Sequence, residues 1–540
     1  MSSDATTLRL RDAPPAGPSA APRFKDTDER TFARARRDTR IGASALVVLI
    51  ACSLLFVVIA ANRPSLFSAT THAGFFPGWM AGPLGGLWPG LTRNGTTLRY
   101  VFTVGMTAMY GCYLLALAYV PRMRLSARWA IATIVAAHAI FFLAPPMALT
   151  DIFNYVNYGR MEVVHHLNPY TTYPILEPHS DPSYVLSNWH QLLSPYGPLF
   201  TLLTFALVPL GVAASFWTIK VVLVAASLGT ILLVWRCAEL LDLDPVRAIV
   251  LVGLNPIVLV WGLGGDHNDF LMVFAIVLGF YLLLRARGHD ADAALVSADA
   301  PSVAGAPLVG DDGSSASGGK PLARIGGWLW PLSAMEIGAG AAFVAATALK
   351  ASGGVLIPIV LAGLLRAPRR LTQVLFGMIL AGVLIGAASL IAFGLHIPDL
   401  STQSRLVTNI SVPNLIGLAL GAGGETETLH SLLSAVLVLS VLGCCVLAWR
   451  RRDSITPSGW ATVALLVTLG WVLPWYVLWL LPLAALSRSR RLRTTALVLG
   501  AYLIVAWAPA SGLLWNAIGF QPAKTSLGRL HQRYVKELLN

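Results

Sequence analysis

Long runs of apolar residues recur along this chain, and short polar or basic connections separate them. One run spans Ile41 to Ala61 and another Tyr100 to Val120, each close to the ~20 residues that a bilayer core demands. Inside hydrocarbon a backbone satisfies its own hydrogen bonds only as a helix or a closed barrel. Unbroken apolar runs of this length predict helices. The pattern therefore predicts an all-α polytopic membrane protein, with about thirteen spans, the N-terminus inside and the C-terminus outside.

Leu199 to Gly211 breaks this rhythm. It is apolar but, at about 13 residues, too short to span comfortably. If it spanned, Arg236 and Arg285 would fall outside, against the charge bias, so it is expected as an interfacial or partly inserted helix. Residues 1–40 are rich in Pro, Ala, Arg and Asp without apolar periodicity, and are expected to form a disordered cytoplasmic leader. About forty residues before the first run are too many for the positive n-region of a cleaved signal peptide. Residues 288–326, Asp/Ala/Ser/Gly-rich and carrying GSSASGGK, read as a flexible cytoplasmic linker. They separate an N-terminal transmembrane part (41–287) from a C-terminal one (327–515), which a tail (516–540) follows. No internal repeat of fixed period is visible.

Composition agrees: 56% of the 540 residues are hydrophobic and 12% charged, with a mean hydropathy of +0.67, whereas soluble domains carry about twice that charge. The formal net charge of +13 does not indicate nucleic-acid binding, because the cations sit in short clusters between apolar runs. These are Arg122, Arg124 and Arg128; Arg236 and Arg247; Arg285 and Arg287; Arg366, Arg369 and Arg370; Arg450 to Arg452; and Arg488 to Arg493. The positive-inside rule places them in the cytoplasm. Cys52, Cys112, Cys237, Cys444 and Cys445 lie in or beside apolar runs without metal-ligand spacing, and read as small hydrophobes.

The polar connections that remain, at 62–97, 148–214, 263–269, 349–354, 395–430 and the turn at Pro474, are expected to face outside. Chemistry-bearing residues concentrate there. The richest connection is 148–214, where Asp151 follows the apolar run FFLAPPMAL directly; a carboxylate at a membrane boundary is costly and usually functional. Tyr155, Tyr158 and Arg160 follow on an amphipathic helix, then His165-His166-Leu167-Asn168-Pro169-Tyr170, then Trp189-His190 and Ser194-Pro195-Tyr196-Gly197-Pro198-Leu199. Aromatics, amides and a carboxylate in one interfacial loop suit sugar recognition, and an aromatic belt would use the same tyrosines and tryptophans. In the turn Gly264-Gly265-Asp266-His267-Asn268-Asp269 the four polar residues could hold a divalent metal, hydrogen-bond sugar hydroxyls, or cap the next helix. Lys350 stands in Ala-Leu-Lys-Ala-Ser-Gly-Gly on the side where cations are disfavoured, placed to hold a lipid phosphate or to snorkel. Arg405, in the outer loop 395–430, is a second phosphate candidate, and Trp475 and Tyr476 supply aromatic faces at the Pro474 break.

Taken in order, Thr-Asp-Ile-Phe-Asn-Tyr (150–155), Asn-Pro-Tyr (168–170), Ser-Pro-Tyr-Gly-Pro-Leu (194–199), Gly-Gly-Asp-His-Asn-Asp (264–269), Leu-Lys-Ala (349–351) and Pro-Trp-Tyr-Val-Leu-Trp (474–479) resemble a known family. It is that of the actinobacterial polyprenol-phosphate-mannose-dependent α-1,6-mannosyltransferases of lipomannan core assembly, glycosyltransferases of the GT-C class. The resemblance runs from about Phe141 to Pro482. It implies a GT-C-type fold of about 11–13 transmembrane helices, with interfacial helices in the first large outer loop and an active site facing outside. It also implies a catalytic carboxylate in that loop, matched by Asp151. Some GT-C enzymes pair acids there. No acid stands at 150, 152 or 153, which favours a lone general base, so no divalent metal is expected.

The expected activity is transfer of mannose from polyprenyl-phosphate-mannose to a mannan or glycolipid acceptor at the outer face of the plasma membrane. Asp151 would take the acceptor proton and Lys350 would stabilise the phosphate; direct displacement from a β-linked donor gives an α-1,6 product by inversion. No Gly-rich phosphate loop suggests a nucleotide-sugar donor. The residues alone leave arabinofuranose or glucose open as donor sugars. A lipid-linked-sugar transporter or flippase would instead need polar groups at the midplane of several spans.

Overall fold

In a computed structural model the described residues are 24–62, 77–80, 82–84, 87, 95–147, 151–298 and 333–539. Among them every regular element is helical. Six stretches are long and apolar enough to cross a membrane: Ala33–Ala61, Gly95–Arg122, Pro198–Leu240, Asp269–Arg287, Pro368–Phe393 and Glu427–Arg451. Two bent pairs join them, Pro245–Gly253 with Ile257–Leu263 at 45° and Arg490–Trp507 with Ser511–Ala517 at 76°. Shorter apolar helices are Ser126–Phe142, Ala334–Leu349, Ala351–Leu364, Ile455–Thr468 and Pro474–Leu486. Pro368–Phe393 and Glu427–Arg451 expose rows of large apolar side chains, among them Ile379, Val383, Leu384, Leu439 and Leu442, surfaces that suit lipid rather than water.

The basic clusters converge at one end of the helices. Arg370 bonds Glu336 at 3.0 Å and the Leu283 carbonyl at 2.6 Å. Arg287 donates to the Arg452 carbonyl and Arg488 to that of Leu241. Asp269 begins the helix that carries Arg287, so at 1.5 Å per residue the turn 264–269 lies about 27 Å from this basic end.

The Leu199–Gly211 run folds as the helix Pro198–Phe205, then a 3-10 turn at Val208–Leu210, before the long helix Gly211–Leu240 begins. Pro198–Phe205 rises only about 12 Å and packs against Asp151–His165.

Two expectations change at the edges. Helix Phe24–Asn62 makes residues 24–40 helical instead of a disordered leader; 1–23 lie outside the described residues. Helix Asp269–Ala298 carries the chain well into the expected linker, and 299–326 lie outside the description. The tail is ordered where it forms the helix Ser526–Leu539. Leu538 and Tyr534 of that helix pack with Trp189, Leu192 and Leu406, and the Gln191 N–H donates to the Leu538 carbonyl at 3.1 Å. All five cysteines are free.

Candidate active site

Helix Asp151–His165 opens with its only first-turn acid, where the helix dipole favours negative charge. Asp151, Asn154, Tyr155 and Tyr158 fall at i, i+3, i+4 and i+7, one face of a helix, and all four line a cavity of about 370 Å³. Tyr196, Trp475, Tyr476, Trp479, Trp471 and Lys350 complete its walls. Tyr155 and Tyr196 meet edge to face at 4.9 Å, and the Tyr158 hydroxyl donates to the Leu192 carbonyl at 2.8 Å, so the aromatic wall is held from behind.

The turn 264–269 divides its polar groups among several partners. Asp266 receives a hydrogen bond from Lys220 at 2.8 Å, and both are fully buried. Asp266 adopts φ +56°, the left-handed region that a non-glycine residue occupies only under constraint. His267 stacks on Trp475 with centroids 3.5 Å apart and sets Nδ1 3.4 Å from the Asp151 carboxylate. That is a close charge contact, longer than a good hydrogen bond. Gly265 permits this packing, because a Cβ there would lie 2.2 Å from the Trp261 carbonyl and 2.6 Å from His267 Nε2. Asn268 donates its backbone N–H to the Tyr155 hydroxyl at 3.3 Å, while its buried side-chain amide has no partner among the described residues. Asp269 takes two contacts from Lys350 Nζ, at 2.9 and 2.8 Å, and a third from the Trp479 indole N–H at 2.5 Å.

Lys350 sits at an extended break, φ −154°, after helix Ala334–Leu349. Its ammonium lies 5.2 Å from the Tyr476 ring centroid and 5.5 Å from that of Trp479, a cation–π setting. Gly197 brings the first outer loop against this break: its N–H donates to the Leu349 carbonyl at 3.2 Å, and a Cβ would sit 2.1 Å from the Ala348 carbonyl. Two loops distant in sequence thus bring Asp151 and Lys350 to one cavity.

Other expected sugar contacts point elsewhere. Arg160 bonds Asp181 through Nε and Nη2 at 2.8 to 3.1 Å, and His165 reaches the same carboxylate at 2.9 Å. Burial alone would raise the Asp181 pKa, yet the Arg160, Ser183 and His165 hydrogen bonds hold it well below the usual carboxylate range. Arg160 therefore pins the loop. Burial, with the charge of Asp181 nearby, pushes Glu177 in the same loop up to about 7. His190 stacks on Tyr184 at 4.0 Å outside the cavity lining, and burial lowers its pKa. Arg405 is exposed at the rim, between Ser404 and Leu406, which do line the cavity. Asp266 and His267 stand behind the lining. No group of three or more His, Cys, Asp or Glu side chains is placed to hold a metal among the described residues.

Sequence reasoning missed Lys220 and Asp181. Lys220 interrupts the apolar run SFWTIKVVLV, and an ionisable residue within a span is a functional signal by itself. The partner of Asp181, Arg160, was legible only by helical phase.

A family profile described as Alpha-(1->6)-mannopyranosyltransferase, N-terminal domain, matches residues 57–367, and one described as MptB C-terminal domain matches 407–521. Over 397 residues the chain is 29% identical to an alpha-(1->6)-mannopyranosyltransferase of Mycobacterium tuberculosis, covering 66% of this chain and 65% of that one. To alpha-(1->6)-mannopyranosyltransferase A of the same organism it is 27% identical over 397 residues, 70% of this chain and 69% of the relative. The enzyme of that name from Corynebacterium glutamicum is 24% identical over 369 residues, 64% and 68% of the two chains. The chain thus aligns with about two thirds of the length of these curated relatives. No solved structure matches it.

Proposed function

The chain belongs to the alpha-(1->6)-mannopyranosyltransferase family, and from that premise we propose that it transfers mannose from a polyprenyl-phosphate-mannose donor to a mannan or glycolipid hydroxyl, making an α-1,6 linkage with inversion. The observation that carries this reading is the shared cavity, with the Asp151 carboxylate and the Lys350 ammonium both in its wall. In the reaction the acceptor oxygen attacks C1 of the donor mannose, the C1–phosphate oxygen bond breaks, and the hydroxyl proton passes to Asp151. The polyprenyl phosphate leaves with its negative charge beside Lys350 and needs no proton.

Lys350 suits this role because an ammonium has three donors and its contacts to Asp269 occupy one side of it. A phosphate entering from the cavity would share the cation without evicting Asp269. The imidazole edge of His267 holds the Asp151 carboxylate toward the cavity, and the tyrosine and tryptophan rings offer faces to the sugar. Asp266 and Asp269 are each committed to a lysine, which leaves Asp151 with one histidine and supports a metal-independent displacement.

The separation of the site from the arginine-rich end supports an outward-facing site in the plasma membrane, by the positive-inside rule. Purified protein given synthetic polyprenyl-phosphate-mannose and a short α-1,6-oligomannoside is expected to extend the oligomannoside by one residue, with or without EDTA. Transfer from polyprenyl-phosphate arabinofuranose or glucose instead would overturn the donor. Mn²⁺-dependent rescue after chelation would overturn the metal-free mechanism.

A further inference from the structure

Beyond the catalytic cavity, the docked tail helix encloses a second one of about 280 Å³, lined by Val407, Thr408, Asn409, Ile410, Trp471, Trp507, His531, Gln532 and Val535. Trp471 belongs to both walls, so the two cavities adjoin on one indole. The second contains no Asp, Glu, Lys or Arg side chain in its wall, in contrast to the charged end of the first. It holds a buried polar group without a partner among the described residues, the Trp507 indole N–H, which makes no hydrogen bond, and the side-chain amides of Asn409 and Gln532 line it as well. Burial keeps the His531 pKa below its ordinary value, so at neutral pH it is an uncharged donor and acceptor.

Two hydrogen bonds fix this arrangement. The Thr408 N–H donates to the Gly470 carbonyl at 2.9 Å, which ties the segment 407–410 to Trp471. The Tyr534 hydroxyl donates to the Thr402 carbonyl at 3.3 Å, which ties the tail helix to the same loop. Neutral donors and acceptors beside two indoles suit an uncharged polyhydroxylated chain. An isoprenoid tail would leave the buried indole N–H unsatisfied, at a cost.

We propose that the cavity between the tail helix and segment 407–410 is a distal acceptor subsite, which binds a saccharide unit of the growing glycan one or more residues from the reacting hydroxyl. This rests on the glycosyl-transfer reading above for the identity of the glycan as a mannan. The tail helix then selects acceptor length, because only an oligosaccharide long enough to pass Trp471 reaches it.

The test is equilibrium binding of α-1,6-linked mannobiose and mannotetraose to the purified full chain and to Gln532→Ala, Asn409→Ala and Trp507→Phe. Gln532 is surface-exposed, so its variant keeps the fold. Wild type is expected to bind mannotetraose more tightly than mannobiose. Each variant should lose about three- to tenfold in affinity for the tetraose, the worth of one hydrogen bond, with mannobiose binding and mannobiose extension unchanged. Equal tetraose affinity in wild type and all three variants would overturn the subsite, as would a loss of polyprenyl-phosphate affinity in Trp507→Phe with tetraose binding unchanged. Binding is read without turnover. Variant-sensitive tetraose binding by a protein that fails to transfer mannose would sink the donor assignment and leave the subsite standing.

Discussion

The turn 264–269 contains two aspartates, and each meets a lysine at 2.8 Å. In the Lys220–Asp266 pair the side chains are 1% and 3% exposed, and neither lines the 370 Å³ cavity. In the Lys350–Asp269 pair the lysine is 20% exposed and lines that cavity. The chemistry is the same, but access differs. A sealed pair can only hold backbone in place, here the left-handed Asp266 and with it His267. A pair with one open side can hold backbone and still offer charge to a ligand. The first should therefore be replaceable by any neutral pair that fits, and the second should not.

The largest expected effect comes from breaking the sealed pair. Lys220→Met strands a buried carboxylate, a cost of about 3–5 kcal/mol, and should lower the melting temperature sharply together with activity. Adding Asp266→Asn removes the stranded charge and keeps a residue that tolerates the left-handed region; thermal unfolding and transfer should both recover. If the double variant folds but stays inactive, Lys220 acts in the chemistry and the distinction between the pairs fails.

The same pair of changes at the open site should part stability from activity. Lys350→Met with Asp269→Asn should fold, yet lose ten- to a hundredfold in catalytic efficiency toward the lipid donor, since a charge-assisted contact to phosphate is worth roughly 1.5–3 kcal/mol. An unchanged donor dependence would reduce Lys350 to a structural cation like Lys220.

A smaller effect is expected where the first loop buries an acid. The folded pKa of Glu177, about 7, lies above its ordinary 4.5, so the folded state holds the proton more tightly. That stability is fully present below pH 4.5 and is lost as pH rises toward 7. Glu177→Gln should raise the melting temperature at pH 8, on the order of 1–2 kcal/mol in stability, and change little at pH 4.5. An equal gain at both pH values would remove the buried-carboxyl explanation.

Arg405 should show the least. It is exposed at the rim, and Arg405→Ala is expected to change donor KM by less than about threefold at moderate salt. A tenfold rise would place the phosphate at the rim instead of at Lys350.

Much of the site was legible because helical phase is legible. Asp151, Asn154, Tyr155 and Tyr158 share a face by spacing alone. Arg160 comes roughly two and a half turns after Asp151, on the opposite face, so the same arithmetic excludes it from the cavity. The short Leu199–Gly211 run signalled through its length a separate short helix ahead of Gly211–Leu240. What spacing could not tell was pairing across the chain: Lys220 finds Asp266 across 46 positions and Lys350 finds Asp269 across 81, and only packing of the helices decides which lysine meets which acid. The tail helix was missed for a related reason. Its apolar stripe at Leu527, Tyr534, Val535 and Leu538 has meaning only beside Trp189 and Leu406, which precede it far back in the chain.

The central claim is that Asp151 takes the acceptor proton while Lys350 holds the phosphate in the same cavity. Asp151→Asn keeps the shape and the helix-start position and removes the basicity. Single-turnover transfer measured with saturating donor should fall by about 10²–10⁴-fold, with donor binding and melting temperature close to wild type. Turnover within about threefold of wild type would contradict the account and move the base to another residue.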